Sequence, residues 1–289
     1  MATRIVSRLA EISDAYDAIL CDVWGVLHDG QRAFAPASEA LVAFRQRGGA
    51  VALITNAPRP NAPVSAQLQR LGVSPDAFDA VVTSGDVTLA LVEARGGAPV
   101  HHIGPERDLS LFEAVAEKTG VHPPRVGPQQ ADYVLCTGLE HDHVETPADY
   151  RERLAALAAR KLPFLCANPD LVIHRGADLV YCAGALGQAY EALGGEVIYA
   201  GKPYAPIYEA AVLACARALR REPKRALAIG DGFRTDVFGA RGRGLDVLFV
   251  AGGIHRDEAL TGEAVYPEGL NALFARENYT PAATIANLR

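Results

Sequence analysis

The chain has 289 residues, 49% of them apolar, and a formal net charge of −6. That length suits two domains, and the mild acidity with scattered basic residues argues against a nucleic-acid partner, which requires a concentrated basic face. No run of about 18 apolar residues occurs, so no membrane span is expected, and the charged N-terminal stretch MATRIVSRLAEISDAYD lacks the apolar segment of a signal peptide.

In chain order, short β-branched runs alternate with helical patterns. AILCD (18–22), AVALIT (50–55) and AVVT (80–83) read as strands. Between them PASEALVAFRQRG and NAPVSAQLQRLG read as helices, each stopping at a glycine as helix C-termini prefer. The middle repeats the alternation: PVHHIG, DYVLCTG, PFLCAN and DLVYC as strands, DLSLFEAVAEKTG and PADYRERLAALAARK as helices. VHPPRVGPQQ (121–130) reads as a loop, and Ala183-Gly184 as a glycine-rich turn. The tail returns to strands at EVIYAG (196–201), RALAIGD (225–231) and LDVLFV (245–250), with a helix around 206–220. Its basic end, Arg217 to Arg225, reads as a solvated helix terminus. Such alternation predicts an α/β fold built on a doubly wound, mainly parallel sheet. The cysteines Cys21, Cys136, Cys166, Cys182 and Cys215 contain no C-x-x-C pair and lie in apolar runs. They read as buried thiols of a cytoplasmic protein.

Three strand ends carry polar residues: AILC runs into Asp22, AVALI into Thr55-Asn56, and RALAIG into Asp231. Open parallel sheets bind ligands outside the carboxyl ends of their strands, so these residues are expected in one crevice. Lys202, in AGKP after the strand EVIYA, adds a cation. Two carboxylates and a lysine suit a metal–phosphate site, because Mg²⁺ takes hard oxygen ligands. A carboxylate can also attack phosphorus, and a lysine can neutralise the transferring group.

The order Asp22-x-x-Gly-Val-Leu, Thr55-Asn, Gly-Lys202-Pro and Gly-Asp231-x-x-x-Thr-Asp236 resembles the four motifs of the haloacid dehalogenase superfamily. More narrowly it resembles subclass IIA, which inserts an α/β cap between the second and third motifs and includes sugar-phosphate, nitrophenylphosphate and pyridoxal-phosphate phosphatases. GVLHDG, ITNAPRP, CANPD and GKPYAPIYEAA carry that likeness, which weakens over about 97–160 and after 265. The resemblance implies a catalytic core over 1–96 and 197–289 with a cap over 97–196. It implies Asp22 as nucleophile and Mg²⁺ ligand, with Asp231 and the backbone carbonyl of Trp24 as further ligands. Thr55 and Asn56 would bind the phosphoryl group or support its loop, and Lys202 would hold the nucleophile and the phosphoryl charge. Asp236 would support the metal site from behind, or else cap the following helix. The expected substrate is a small phosphate ester. Relatives with this cap often pair through it, so a homodimer is expected.

One position departs from the phosphatase pattern. The motif reads Asp22-Val23-Trp24 where phosphatases have Asp-x-Asp. Indole has one N–H and no usable pKa, so it can neither protonate a leaving group nor activate water. Three readings follow: a phosphatase with altered acid–base chemistry, a weakly catalytic phosphometabolite binder that regulates a partner, and a metal-free haloacid dehalogenase. The Asp231 loop weighs against the third, and Asp22 with Lys202 against the second. His28 and Asp29 are the candidates for a stand-in acid, against a plain reading of His28-Asp29-Gly30 as a turn. Of the cap, Asn168-Pro169-Asp170 and Ala183-Gly184 are candidates for substrate contact.

Overall fold

The computed structural model describes residues 3–175 and 178–289. In chain order its strands are β1 (Arg4–Ile5), β2 (Ala18–Asp22), β3 (Ala50–Thr55), β4 (Ala80–Thr83), β5 (Val100–Ile103), β6 (Tyr133–Cys136), β7 (Phe164–Cys166), β8 (Val172–Arg175), β9 (Asp178–Tyr181), β10 (Val197–Tyr199), β11 (Ala226–Gly230), β12 (Asp246–Val250), β13 (Leu260–Thr261), β14 (Ala264–Val265) and β15 (Ala283–Ile285). The chain divides into two compact units. The first runs to Thr55, resumes over Ser65–Val82 and again over Ile207–Arg289; the second takes Asn56–Val64 and Thr83–Pro206. Among the described residues no helix is long and apolar enough to cross a membrane.

The first unit is built on a seven-stranded sheet in the order β1-β15-β12-β11-β2-β3-β4. The pairs β1–β15, β15–β12, β12–β11, β11–β2 and β2–β3 are all parallel. β2 is central, with β3 on one side and β11 on the other. Its residues Ala18 to Cys21 are fully buried, which explains a run of apolar residues with no polar alternation. The strand order reverses direction between β2 and β11. That is the topological switch point, where an open α/β sheet leaves a crevice at the strands' carboxyl ends.

The second unit carries a four-stranded parallel sheet, β10-β7-β6-β5. Period-two alternation sends Val134, Cys136, Phe164 and Cys166 to one face, against Leu154, Leu157, Leu186 and Tyr190 of helices Arg151–Ala159 and Ala183–Ala192. Tyr133, Leu135 and Leu165 go to the other face, against Leu89, Val92, Leu111 and Val115 of helices Ser84–Glu93 and Ser110–Thr119. β8 and β9 form a separate antiparallel hairpin.

Two expectations need correction. Val197–Tyr199, placed with the core from its position before Lys202, pairs in register with Phe164–Cys166 of the four-stranded sheet. A short apolar strand reads the same in either sheet, so only the pairing partner separates them. Ala183-Gly184 is no turn but the buried start of helix Ala183–Ala192. A Cβ at Gly184 would overlap the carbonyl of Pro169, so glycine is there to let the helix approach the Asn168–Asp170 loop.

Candidate active site

Asp22 is the last residue of β2 and Asp231 follows the end of β11, so adjacent parallel strands deliver two carboxylates to one edge. Asp236 joins them by a different route. After Gly232 the chain forms a single π-helical turn, Phe233–Val237, in which Val237 N–H bonds to Gly232 O at 3.1 Å. Such turns are uncommon and recur at functional sites. Phe233 anchors this one from below, packing on Phe249 and Phe274 with centroids 5.2 and 5.8 Å away. Tyr208, from helix Ala205–Leu219, holds it from the side: its hydroxyl lies 3.0 Å from Thr235 O and 3.2 Å from Asp236 O and donates to these carbonyls.

Asp22, Asp231 and Asp236 are all buried, and each offers a carboxylate oxygen within 4.8 Å of the others. At an effective dielectric near 20, two unit charges at that distance repel by about 3–4 kcal/mol. Protein donors offset part of this: Ile254 N–H donates to Asp231 Oδ2 at 2.8 Å, and Gly232 N–H to Asp236 Oδ2 at 3.1 Å. The spacing fits a small hard cation. An octahedral ion with oxygens at about 2.1 Å separates its ligands by roughly 3 to 4 Å. Gly25 and Gly253 close over Asp231, and a Cβ at either would overlap its carboxylate.

Thr55 ends β3, half-buried beside this edge. Asn56 and Lys202, both buried, belong to the second unit. Asn56 Oδ1 accepts Lys202 N–H at 2.7 Å, while its Nδ2 donates to Lys202 O at 3.2 Å and to Asp170 Oδ1 at 2.9 Å. Asn56 therefore uses its amide to grip the Lys202 backbone and the Asn168–Asp170 loop. Asp170 could not be linked to this motif from the sequence, because 114 residues separate it from Asn56.

Trp24 is not packed into the core. It is 46% exposed, while Asp22, Val23, Val26 and Leu27 around it are buried. The six-membered ring of its indole rests on Gly30, where a Cβ would lie 3.0 Å from Cζ2, and it meets His28 edge-on with centroids 5.2 Å apart. Neither stand-in acid is available. Asp29 Oδ1 accepts the N–H groups of Gln31 and Arg32, both at 2.9 Å, in a turn continued by Gly30 at φ +87°. Those bonds hold its carboxyl below the usual range. His28 is buried, which lowers its pKa, and its Nδ1 accepts Gly30 N–H at 2.9 Å. The neutral ring thus carries its proton on Nε2, leaving no nitrogen to receive another without breaking that bond.

The fold has known counterparts. Residues 19–119 match the model of the haloacid dehalogenase-like hydrolases, and residues 199–272 match a second model of hydrolases like them. A crystal structure of a haloacid dehalogenase-like hydrolase from Brucella suis 1330 is 44% identical, with a TM-score of 0.84 over 99% of this chain and 100% of that one. The 5'-nucleotidase YutF of Bacillus subtilis (strain 168) is 24% identical over 87% of this chain and 93% of its own length. A glycerol phosphate phosphatase from Mycobacterium tuberculosis, solved in complex with calcium, is 27% identical, with a TM-score of 0.65 over 84% of this chain and 68% of that one. With 44% identity to the Brucella protein over nearly the whole of both chains, the chain belongs to the haloacid dehalogenase-like hydrolases.

Proposed function

We propose that this enzyme is a Mg²⁺-dependent hydrolase of small phosphate monoesters that works through an aspartyl-phosphate on Asp22. The observation that carries this reading is the convergence of three buried carboxylates at the switch point of the sheet. The activities named for the Bacillus and Mycobacterium relatives support a small phosphate ester as substrate. The five buried cysteines suit a reducing cytoplasm.

In the first step a carboxylate oxygen of Asp22 attacks phosphorus, the ester P–O bond breaks, and its electron pair leaves with the ester oxygen. In the second, water attacks phosphorus, the Asp22–phosphorus bond breaks, and the water proton departs with inorganic phosphate. Asp22, Asp231 and the carbonyl of Trp24 would hold Mg²⁺, with Asp236 close enough to join them or to orient them. Bound there, the ion would offset charge on the phosphoryl oxygens. By their motifs, Thr55 takes a phosphoryl oxygen and Lys202 neutralises the transferring group.

Trp24 gives the leaving group no proton, and the hydrogen bonds of His28 and Asp29 commit both elsewhere. General acid assistance contributes about 10²–10⁴-fold, so esters with poor leaving groups should turn over slowly. The same observation favours a second reading, a phosphometabolite-binding regulator with little turnover. Single-turnover hydrolysis in ¹⁸O-water separates the two. The proposed enzyme incorporates label into Asp22, loses hydrolysis in Asp22→Asn and requires Mg²⁺ after EDTA. Phosphate binding without labelling would support the regulator, and full activity in excess chelator would return the metal-free dehalogenase.

A further inference from the structure

The Asp231 carboxylate depends on a loop with little stiffness of its own. Ile254 N–H fixes Asp231 Oδ2 at 2.8 Å. Gly252 and Gly253 precede it, and glycine has the most backbone freedom to lose of any residue. The Ile254 side chain is 70% exposed, so packing does little to hold it. Upstream, Gly252 N–H bonds to Ala286 O at 2.7 Å. Downstream, the next side chain is His255.

His255 has partners on two sides of the loop. Its Nδ1 lies 2.5 Å from Glu258 Oε1. Arg276 donates two bonds to the same carboxylate, at 2.9 and 3.1 Å. Arg276 first, and then His255, hold that carboxyl down to about 2. Glu258 is therefore an acceptor only, and the shared proton sits on Nδ1. Glu258 lies in the short helix Arg256–Ala259, which His255 precedes, and Arg276 ends helix Pro267–Arg276. These helices meet closely, since a Cβ at Gly269 would overlap Glu258 O. The imidazole also meets the buried Phe233 edge-on, at 81° with centroids 5.8 Å apart, and lies 6.0 Å from Phe249.

These contacts close a circuit around Asp231. The chain runs from Asp231 to Phe233, the Phe233 ring meets His255, and the residue before His255 returns a hydrogen bond to Asp231. Phe233 also begins the π-helical turn that delivers Asp236. One imidazole thus bears on the elements that place two of the three carboxylates. The ion pair that tethers it is partly exposed, and such pairs add little to global stability. Its effect should therefore appear in the position of the carboxylates more than in the melting of the fold.

We propose that His255, tethered through Glu258 to Arg276, is a positioning residue for the metal site, setting Asp231 through Ile254 and the Asp236 turn through Phe233. This rests on the metal assignment made above, but it needs no hydrolysis to be seen. No bond or proton of the reaction passes through His255.

Calorimetric titration of Mg²⁺ into the full chain, with no substrate present, reads the effect directly. Groups that orient metal ligands typically contribute about 10–100-fold to metal affinity. His255 acts one contact further out, so Glu258→Ala and His255→Leu should each weaken Mg²⁺ by about ten-fold, the low end of that range. Both act through one chain of contacts, so the double variant should bind about as well as the weaker single one. Glu258→Gln loses the charge but keeps an acceptor for Nδ1–H, and should stay within about three-fold of wild type. Glu263→Ala breaks the exposed Arg256–Glu263 pair nearby, at 2.8 Å, and should leave Mg²⁺ affinity unchanged. Glu258 is itself 37% exposed, so Glu258→Ala keeps the test available should His255→Leu fail to fold. Unchanged Mg²⁺ affinity in Glu258→Ala would overturn the proposal, even with wild type hydrolysing phosphate esters. Equal losses in Glu258→Ala, Glu258→Gln and Glu263→Ala would overturn it too, because charge and not position would then be the cause. The expected pattern in a protein that binds Mg²⁺ but hydrolyses no phosphate ester would uphold the positioning role and overturn the phosphatase reading alone.

Discussion

Gly253→Ala offers a sharp test of the carboxylate site, because the substitution adds one methyl group and changes no charge. Gly253 does not occupy the left-handed region of backbone space, so alanine brings no conformational penalty of that kind. The obstacle is Asp231. A Cβ at residue 253 would sit roughly 1.5 Å inside the ~3.5 Å contact distance to Asp231 Oδ2, with Asp231 Cβ and Cγ also overlapped. Ile254 N–H, which fixes that oxygen at 2.8 Å, follows directly in the chain, so loop and carboxylate cannot separate without losing the bond. Overpacking of this size costs about 1–3 kcal/mol of stability. A displacement near 1 Å at a reacting centre costs about 10²-fold in rate. We expect Gly253→Ala to fold, to need at least ten-fold more Mg²⁺ for half-maximal hydrolysis, and to lose about 10²-fold in kcat/KM. Gly127→Ala, where nothing lies near the added Cβ, serves as the neutral control. The assay is a Mg²⁺ titration of hydrolysis beside a thermal melt. If Gly253→Ala kept wild-type Mg²⁺ dependence and rate, Asp231 would not be a ligand whose position matters.

Two further predictions concern other parts of the chain. Tyr208→Phe removes the hydroxyl that braces the π-turn at Thr235 and Asp236; it should cost about 1 kcal/mol of stability and weaken Mg²⁺ several-fold while leaving kcat at saturating Mg²⁺ within about two-fold. Equal weakening of kcat would show that the hydroxyl does more than hold the turn. His102, bonded to Thr137 Oγ1 at 3.1 Å, has its pKa lowered to about 4 by burial and then by Arg125. Above pH ~6.5 it is neutral in both folded and unfolded chains. As pH falls below that value the unfolded chain binds a proton that the folded one refuses, so stability is lost down to about pH 4, by ~2–3 kcal/mol. Urea midpoints at pH 7 and 4.5 should show that loss shrinking in His102→Gln; an unchanged acid sensitivity would contradict it.

Much of this arrangement is readable from strand ends. Ala18–Asp22 and Ala226–Gly230 stand out because both strands are buried on two faces and then end abruptly in aspartate. What pairing decides is harder to read. Val197–Tyr199 looks like any strand before a motif residue, and only its partner Phe164–Cys166 gives it to the smaller sheet. Helix Ser84–Glu93 does have a local sequence signal, because Thr83 and Asp86 form a reciprocal capping box. Helix Ala183–Ala192 was hidden because Gly184 and Gly187 look like turn residues; they are small because Pro169 O and Tyr199 lie against them. The openness of Trp24 has no sequence signal at all, since tryptophan in an apolar run normally predicts burial.

The pairing of β2 with β11 also shapes how the chain can fold. Ala18 lies opposite Ala226, so one edge of the central strand stays unmatched until some 200 residues have been made. On the ribosome, β2 and β3 can form early, but the segment Ile19–Cys21 then presents an open row of backbone donors and acceptors with apolar side chains on both faces. Contacts so distant in sequence form slowly, and chains truncated before Ala226 should be prone to aggregate. The residues that bring Asp22 and Asp231 together thus also set the last stage of assembly, so the charged crevice is completed only once nearly the whole chain is available.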